Sequence, residues 1–262
     1  MHKSSRVLDL RGMNRILNEH QISPGFPVAV LQPGVTQGQL RLFLDEHHPG
    51  LTFNVTGSGC DTSILGASLD RGVGYFGPRR DDIYGLEIVT GLGEVITTGF
   101  RRLGEDSPLA HSHPHGCGPI LDGLFSQGNL GIVTSACFRL QPRRELHAAM
   151  TLSLRAPHLL GTFLDRMAIL KRNGTLPGVA HIANRRRTHS SLRYGVVDYL
   201  TRFCGLAPAA AREMGGESID ALSNSEWTAL VAVYGTARQV RAAFAEARRQ
   251  LGATGAEGLS LR

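Results

Sequence analysis

The chain has 262 residues, 42% hydrophobic and 19% charged, and no run approaching 18 apolar residues. That composition excludes a disordered, fibrous or membrane-spanning polypeptide and leaves a globular protein of one to two domains. The formal net charge of +6 comes from 28 basic residues, of which only Lys3 and Lys171 are lysines; the arginines are scattered rather than interleaved with aromatics, which argues against a nucleic-acid partner. No signal-peptide core follows Met1, and Cys60, Cys117, Cys137 and Cys204 show neither C-x-x-C spacing nor a paired framework. The expectation is a reduced, cytoplasmic protein with no membrane association.

In chain order, Arg6 to Leu10 reads as a strand, Met13 to His20 as a short helix and Phe26 to Leu31 as a second strand, closed by the turn Gln32-Pro33-Gly34-Val35. Thr36 caps a helix, with Gln39 three residues on completing a capping box, and Leu40, Leu42 and Phe43 form its apolar face. Leu51 to Val55 is a third strand, followed by a glycine-dense stretch from Thr56 to Gly77 with a brief helix around Ser63 to Leu69. Leu86 to Thr90 and Glu94 to Thr98 bracket Gly91-Leu92-Gly93 as a hairpin. A loop from Gly99 to Gly118, a short helix near Leu121 to Phe125 and a strand from Gly131 to Leu140 follow. After Arg144 the pattern changes to a strand at His147 to Leu154, a helix at Pro157 to Lys171 and a strand at Val179 to Ala183. Helices at Ser190 to Phe203 and Pro208 to Met214, a strand at Trp227 to Tyr234 and a helix at Thr236 to Leu251 complete the chain. The order suits an antiparallel sheet covered on one face by helices, with a domain boundary near residue 145.

Two segments let backbone approach a ligand. Gly57-Ser58-Gly59-Cys60-Asp61-Thr62-Ser63-Ile64-Leu65-Gly66 follows a strand and opens a helix, where N–H groups can converge on a phosphate, although Thr62 stands where a G-x-G-x-x-G fingerprint needs glycine. Gly128-Asn129-Leu130-Gly131-Ile132-Val133-Thr134 could lie bare against a planar ligand, or simply turn into a strand. His111-Ser112-His113-Pro114-His115-Gly116-Cys117 has the ligand types for zinc, but nothing in its spacing orients a second shell, so no metal is expected. Cys60 lies inside the glycine loop, where it is either a thiol activated by backbone N–H groups or an inert packing residue.

Three motifs together resemble the vanillyl-alcohol oxidase and p-cresol methylhydroxylase (PCMH-type) family of FAD-linked oxidoreductases. They are Val28-Ala29-Val30-Leu31-Gln32-Pro33-Gly34-Val35-Thr36, the segment Asp61 to Tyr75 containing Ser63-Ile64-Leu65-Gly66 and Leu69-Asp70-Arg71-Gly72-Val73-Gly74-Tyr75, and Leu121-Asp122-Gly123-Leu124-Phe125-Ser126-Gln127-Gly128-Asn129-Leu130-Gly131-Ile132-Val133-Thr134. The resemblance covers residues 5 to 145 most strongly. It implies an α+β fold: a PCMH-type FAD-binding domain over residues 1–145 with an incomplete first subdomain, lacking the N-terminal pyrophosphate loop, then a partial substrate or cap domain of ferredoxin-like type over 146–262.

Departures from the family pattern are Gly57 in place of a proline in the flavin loop and Ala67 in place of an asparagine. The implied cofactor is FAD, bound weakly or lost, with Gly57, Ser58, Gly59, Ser63, Ile64 and Gly66 near the pyrophosphate and flavin ring and Gly131, Ile132 and Val133 along the cofactor. Ser58 occupies the position where some relatives carry an acidic catalytic group. The implied function is oxidation or dehydrogenation of a small organic substrate, phenolic or alcoholic, by a homo-oligomer or with a completing subunit. Trp227 to Tyr234 is the candidate contact strand. Two alternatives stay open: a flavin-free protein reusing the fold for cofactor-independent chemistry, and a non-catalytic interaction subunit.

Overall fold

The structure is a computed structural model that describes residues 7–105, 107–116, 118–154, 156–222 and 225–261. The chain divides into two compact units, Met1–Arg143 and Arg144–Arg262.

The first unit is built on a four-stranded antiparallel sheet in the order β1 (Val28–Leu31), β7 (Gly131–Arg139), β5 (Ile83–Thr90), β6 (Val95–Thr97). Short pairs add to it: β2 (Leu51–Thr52) with β8 (Gln141–Pro142), and β3 (Val73–Gly74) with β4 (Gly77–Pro78). One face of the sheet buries Ala29, Leu31, Leu86, Ile88, Ala136 and Phe138 against α1 (Gln37–His47) and α2 (Ile64–Leu69). The other face of the sheet carries a smaller cluster of Val28, Val30, Tyr84 and Cys137. Both faces being covered explains why β1 is apolar at every position.

Several expectations for this unit change. Arg6 lies outside the described residues, and 7–10 form no strand, with Val7 and Leu8 exposed. Met13 to His20 is not a helix: residues 15–17 run beside β1, Leu17 N–H donating to Val30 O at 2.8 Å and Gln32 N–H to Arg15 O at 3.1 Å. Asn18 locks that arrangement, donating Nδ2–H to Val28 O at 2.9 Å and accepting Val30 N–H on Oδ1 at 2.7 Å. Edge pairing thus overrides local helical patterning, and only Glu19–Gln21 makes a 3-10 turn.

The capping box on α1 is half formed. Thr36 Oγ1 accepts Gln39 N–H at 3.2 Å, but the Gln39 side chain donates to Asn14 O at 2.7 Å instead of returning to the cap. The buried face of α1 is Gln37, Leu40 and Leu44, an i, i+3, i+7 stripe, and Leu42 points to solvent. Gly34 lets the turn after β1 pass the 11–13 segment, since a Cβ there would sit 2.5 Å from Arg11 O and 2.7 Å from Met13 O.

The second unit is an antiparallel sheet in the order β10 (Ala180–Asn184), β11 (Trp227–Gly235), β9 (Leu146–Leu154), β12 (Ala256–Leu261). Alternate residues Ala148, Met150, Leu152 and Leu154 of β9 and Ala229, Val231 and Val233 of β11 face α3 (Leu160–Arg172) and α6 (Ala237–Gly252). Thr236 and Gln239 form a complete capping box on α6. α4 (Arg185–Arg202) and α5 (Pro208–Leu222) pack on each other, and α4 buries none of its residues. Strand β12 extends the predicted order, and Trp227 to Tyr234 is corrected: β11 is an interior strand, paired along its length with β9 and over Trp227–Val231 with β10, rather than the edge of the sheet. No described helix is long and apolar enough to cross a membrane.

Candidate flavin site

The glycine loop wraps the N-terminus of α1. Gln37 N–H donates to Thr62 O at 3.0 Å, Gly38 N–H to Cys60 O at 2.7 Å, and Thr62 N–H to Gly59 O at 3.1 Å, while the Gln37 side chain donates Nε2–H to Gly59 O at 3.2 Å. The carbonyls of residues 59, 60 and 62 therefore face inward. In a trans peptide the next N–H points the opposite way, and no cis bond occurs here. The N–H groups of Cys60, Asp61 and Ser63 are consequently turned outward, and no acceptor among the described residues takes them. Residues 57–61 are exposed. Outward amides on a rigidly held, exposed loop are the donor set that an anionic group needs.

The sequence-derived residues separate on this geometry. Gly57, Ser58 and Gly59 lie on the exposed loop, and a Cβ at Gly57 would meet nothing within 4 Å. Ser63 is the N-cap of α2, its Oγ donating to Pro33 O at 2.6 Å and accepting Gly66 N–H at 2.9 Å. Ile64 is a core residue whose N–H donates to Val35 O at 3.0 Å. The amides of Ile64 and Gly66 are thus committed internally, and the available donors are those of Ser63, which was among the expected residues, and of Cys60 and Asp61, which were not.

Gly131, Ile132 and Val133 open β7; Val133 is in the core and Ile132 is exposed. Gly131 is explained by sheet packing, because a Cβ there would collide with Ile88 Cγ2 and lie 3.0 Å from Val89 O. The turn that precedes Gly131 is nevertheless joined to the helix that follows the glycine loop. Gln127, at a left-handed φ of 52°, donates its N–H to Leu69 O at 3.1 Å and Nε2–H to Asp70 Oδ1 at 3.2 Å, tying the turn before β7 to the end of α2.

Ser58 has a hydroxyl and an amide for neighbours. Its Oγ contacts Thr56 Oγ1 and receives Gln37 Nε2–H at 3.4 Å, with no imidazole or carboxylate among these partners. Beneath the loop, Gln37 Oε1 accepts Thr56 N–H at 2.8 Å and Arg79 Nη1–H at 3.0 Å. Arg79 is fully buried, and burial pulls its guanidinium down to about 10 against the opposing effect of Asp82. Burial likewise pushes the Asp82 carboxyl up to about 6, opposed by its hydrogen bond from Asn54 Nδ2 at 2.7 Å and by Arg79 and Arg139.

In the 111–117 segment, His111 Nε2 pairs with Glu105 Oε2 at 2.6 Å and His113 Nδ1 accepts His115 N–H at 3.1 Å, while Cys117 lies outside the described residues. No group of three metal-ligating side chains comes together among the described residues.

Residues 2–99 match the family described as FAD binding domain. The chain is 38% identical over 170 residues to 1'-carboxy-chondrochloren decarboxylase of Chondromyces crocatus, covering 64% of this chain and 31% of that protein. It is 27% identical over 236 residues to the 4-cresol dehydrogenase (hydroxylating) flavoprotein subunit of Pseudomonas putida, covering 89% and 44%. A crystal structure of p-cresol methylhydroxylase with substrate bound superposes with a TM-score of 0.78 at 25% identity, over 97% of this chain and 48% of the other. The chain thus spans less than half the length of these relatives. On the matched domain, the shared fold and the three motifs, the chain carries an FAD binding domain and is similar to the PCMH-type FAD-linked oxidoreductases.

Proposed function

We propose that the first unit holds FAD at the 57–63 loop and that the protein takes part in oxidation of a small organic substrate, a phenol or an alcohol. The observation that carries this is the orientation of the loop, carbonyls inward on α1 and the N–H groups of Cys60, Asp61 and Ser63 outward. These donors fit an anionic phosphate or a flavin carbonyl, and the exposed backbone of Gly57, Ser58 and Gly59 leaves room for close approach. Bound FAD supplies a two-electron acceptor for a hydride leaving the substrate. Ser58 contributes a hydroxyl able to donate one hydrogen bond and does not remove a proton at neutral pH.

The substrate class rests on relatives named for 4-cresol and p-cresol. The word subunit in one of those names supports a completing partner chain. A second reading, decarboxylation of a small organic acid at the same loop, is favoured by the 38% identity to a decarboxylase.

Titration of the purified chain with FAD, followed by flavin fluorescence and visible absorption, tests the proposal. Quenching with a perturbed flavin band is expected, together with displacement by excess ADP. A flavin spectrum unchanged at every concentration of chain would overturn it.

A further inference from the structure

Beneath the loop sit a buried amide and a buried cation that cofactor contact does not explain. Gln37 is 5% exposed, and its side chain is fully engaged: Oε1 accepts from Thr56 N and Arg79 Nη1, and Nε2 donates to Gly59 O and Ser58 Oγ. Arg79 has no exposed surface, its guanidinium carbon lies 5.5 Å from the centroid of Phe138, and its Nε and Nη2 find no acceptor among the described residues. Burying a charge with two unmet donors is unfavourable, and an aliphatic side chain would fill the same space without that penalty.

What the cation does provide is direction. An amide side chain can present either end to a neighbour, but arginine only donates, so Arg79, together with the Thr56 N–H that donates to the same atom, requires the oxygen of Gln37 to face it and turns the Gln37 nitrogen toward the loop. That nitrogen holds the Gly59 carbonyl inward, and the following N–H, that of Cys60, is held outward.

We infer that Gln37 and Arg79 are positioning residues of the flavin loop: Arg79 fixes the orientation of the Gln37 amide, and Gln37 fixes the peptide plane that presents the Cys60 N–H to the anion. The inference rests on the flavin reading for its function and on the FAD-free chain for its geometry.

Two variants test it in the full chain. Gln37→Met keeps the length of the side chain and loses every polar contact. Gln37→Glu keeps the acceptors for Thr56 N–H and Arg79 but loses the donor to Gly59 O. Each should raise the Kd for FAD by about tenfold or more, the loss expected from one or two hydrogen bonds. The Glu variant should do so with a thermal midpoint near that of the parent, since its carboxylate pairs with Arg79, whereas a purely structural role would move affinity and stability together.

Hydrogen exchange of the FAD-free chain gives a readout independent of flavin. In both variants the Thr62 N–H, which donates to the Gly59 carbonyl that Gln37 holds, should exchange faster and raise exchange over 56–63, while β5 and β7 keep their protection. Parent-like FAD affinity in a folded variant overturns the inference. If the parent itself binds no FAD, the flavin reading fails, and the exchange measurement alone decides: unchanged exchange over 56–63 refutes the positioning role, and selective acceleration sustains it. Should Gln37→Met fail to fold, Gln37→Glu carries the test.

Discussion

Gly131 separates two roles for bare backbone, contact with a cofactor and contact with a neighbouring strand. Alanine at this position places a Cβ against Ile88 Cγ2, 3.0 Å from Val89 O and 3.5 Å from Phe125 Cε1. Ile88 is fully buried among the core of the first sheet, and Val89 O is backbone of β5, so neither yields without displacing the strand. Overpacking of this kind costs about 1–3 kcal/mol. A clash that includes backbone sits in the upper part of that range, about 2–3 kcal/mol, and replacing glycine within a strand returns about 0.5–1 kcal/mol, so the net loss is roughly 1–2 kcal/mol. For a chain of this size that corresponds to a fall in Tm of roughly 2–8 °C. Thermal unfolding of the FAD-free Gly131→Ala chain, followed by near-UV circular dichroism, measures it directly. The double variant Gly131→Ala/Ile88→Ala should recover part of the loss relative to Ile88→Ala alone, with a coupling of about 1 kcal/mol. An FAD-free variant as stable as the parent, but with flavin affinity lost, would refute the packing argument and return Gly131 to the cofactor.

Ser58→Ala should lower the rate of flavin reduction by less than about tenfold, about 1.4 kcal/mol, because neither partner of the hydroxyl is a base; anaerobic stopped-flow with a reduced phenol or alcohol as the electron donor shows it, and a thousandfold loss would contradict it. Burial raises the Glu105 carboxyl, but Arg101 and His111 more than reverse this and hold it below its usual range. Its stabilising contribution is therefore present above the unfolded carboxyl value and is lost as pH falls through the lower folded one. Melting curves of Glu105→Gln and the parent should lie further apart at neutral pH than near pH 3. Asp82 behaves oppositely: its folded value is raised to about 6, so its ionisation weakens the fold as pH rises from about 4 to 6. Asp82→Asn should gain stability relative to the parent across that interval, and a flat difference would show that the carboxyl is not held neutral by burial.

Local signals served where structure is local. Thr36 caps the helix assigned to it, Ser63 and Thr236, read as the first residues of their helices, are the caps of those helices, and the hairpin around Gly91-Leu92-Gly93 forms between β5 and β6. The failures share one cause, contacts distant in sequence. Residues 13–18 have helical spacing but are captured by β1 through Asn18, and the Gln39 side chain leaves its cap for Asn14, 25 residues away. At the site, the glycine loop was legible from composition, but which of its amides are free was not, because that depends on Gln37 and, through it, on Arg79, 42 residues further along the chain. A buried glutamine at the first helical position after a threonine cap was the available signal, and it becomes informative only with the loop folded over it.

The register of the second sheet sets the timing of its own assembly. β9 opens the unit, yet Met150 and Leu154 are paired with Leu261 and Ala256, roughly a hundred residues later. During synthesis the two edges of β9 must wait, one for β11 and the other for β12, while α3 through α6 are made. Non-local pairing of this kind is slow and exposes strand edges in the interim. The first unit, whose sheet closes once β7 has been made, can collapse on the ribosome well before its neighbour, so synthesis that stalls within α6 leaves a formed flavin-site unit joined to a β9 edge still open to misassociation.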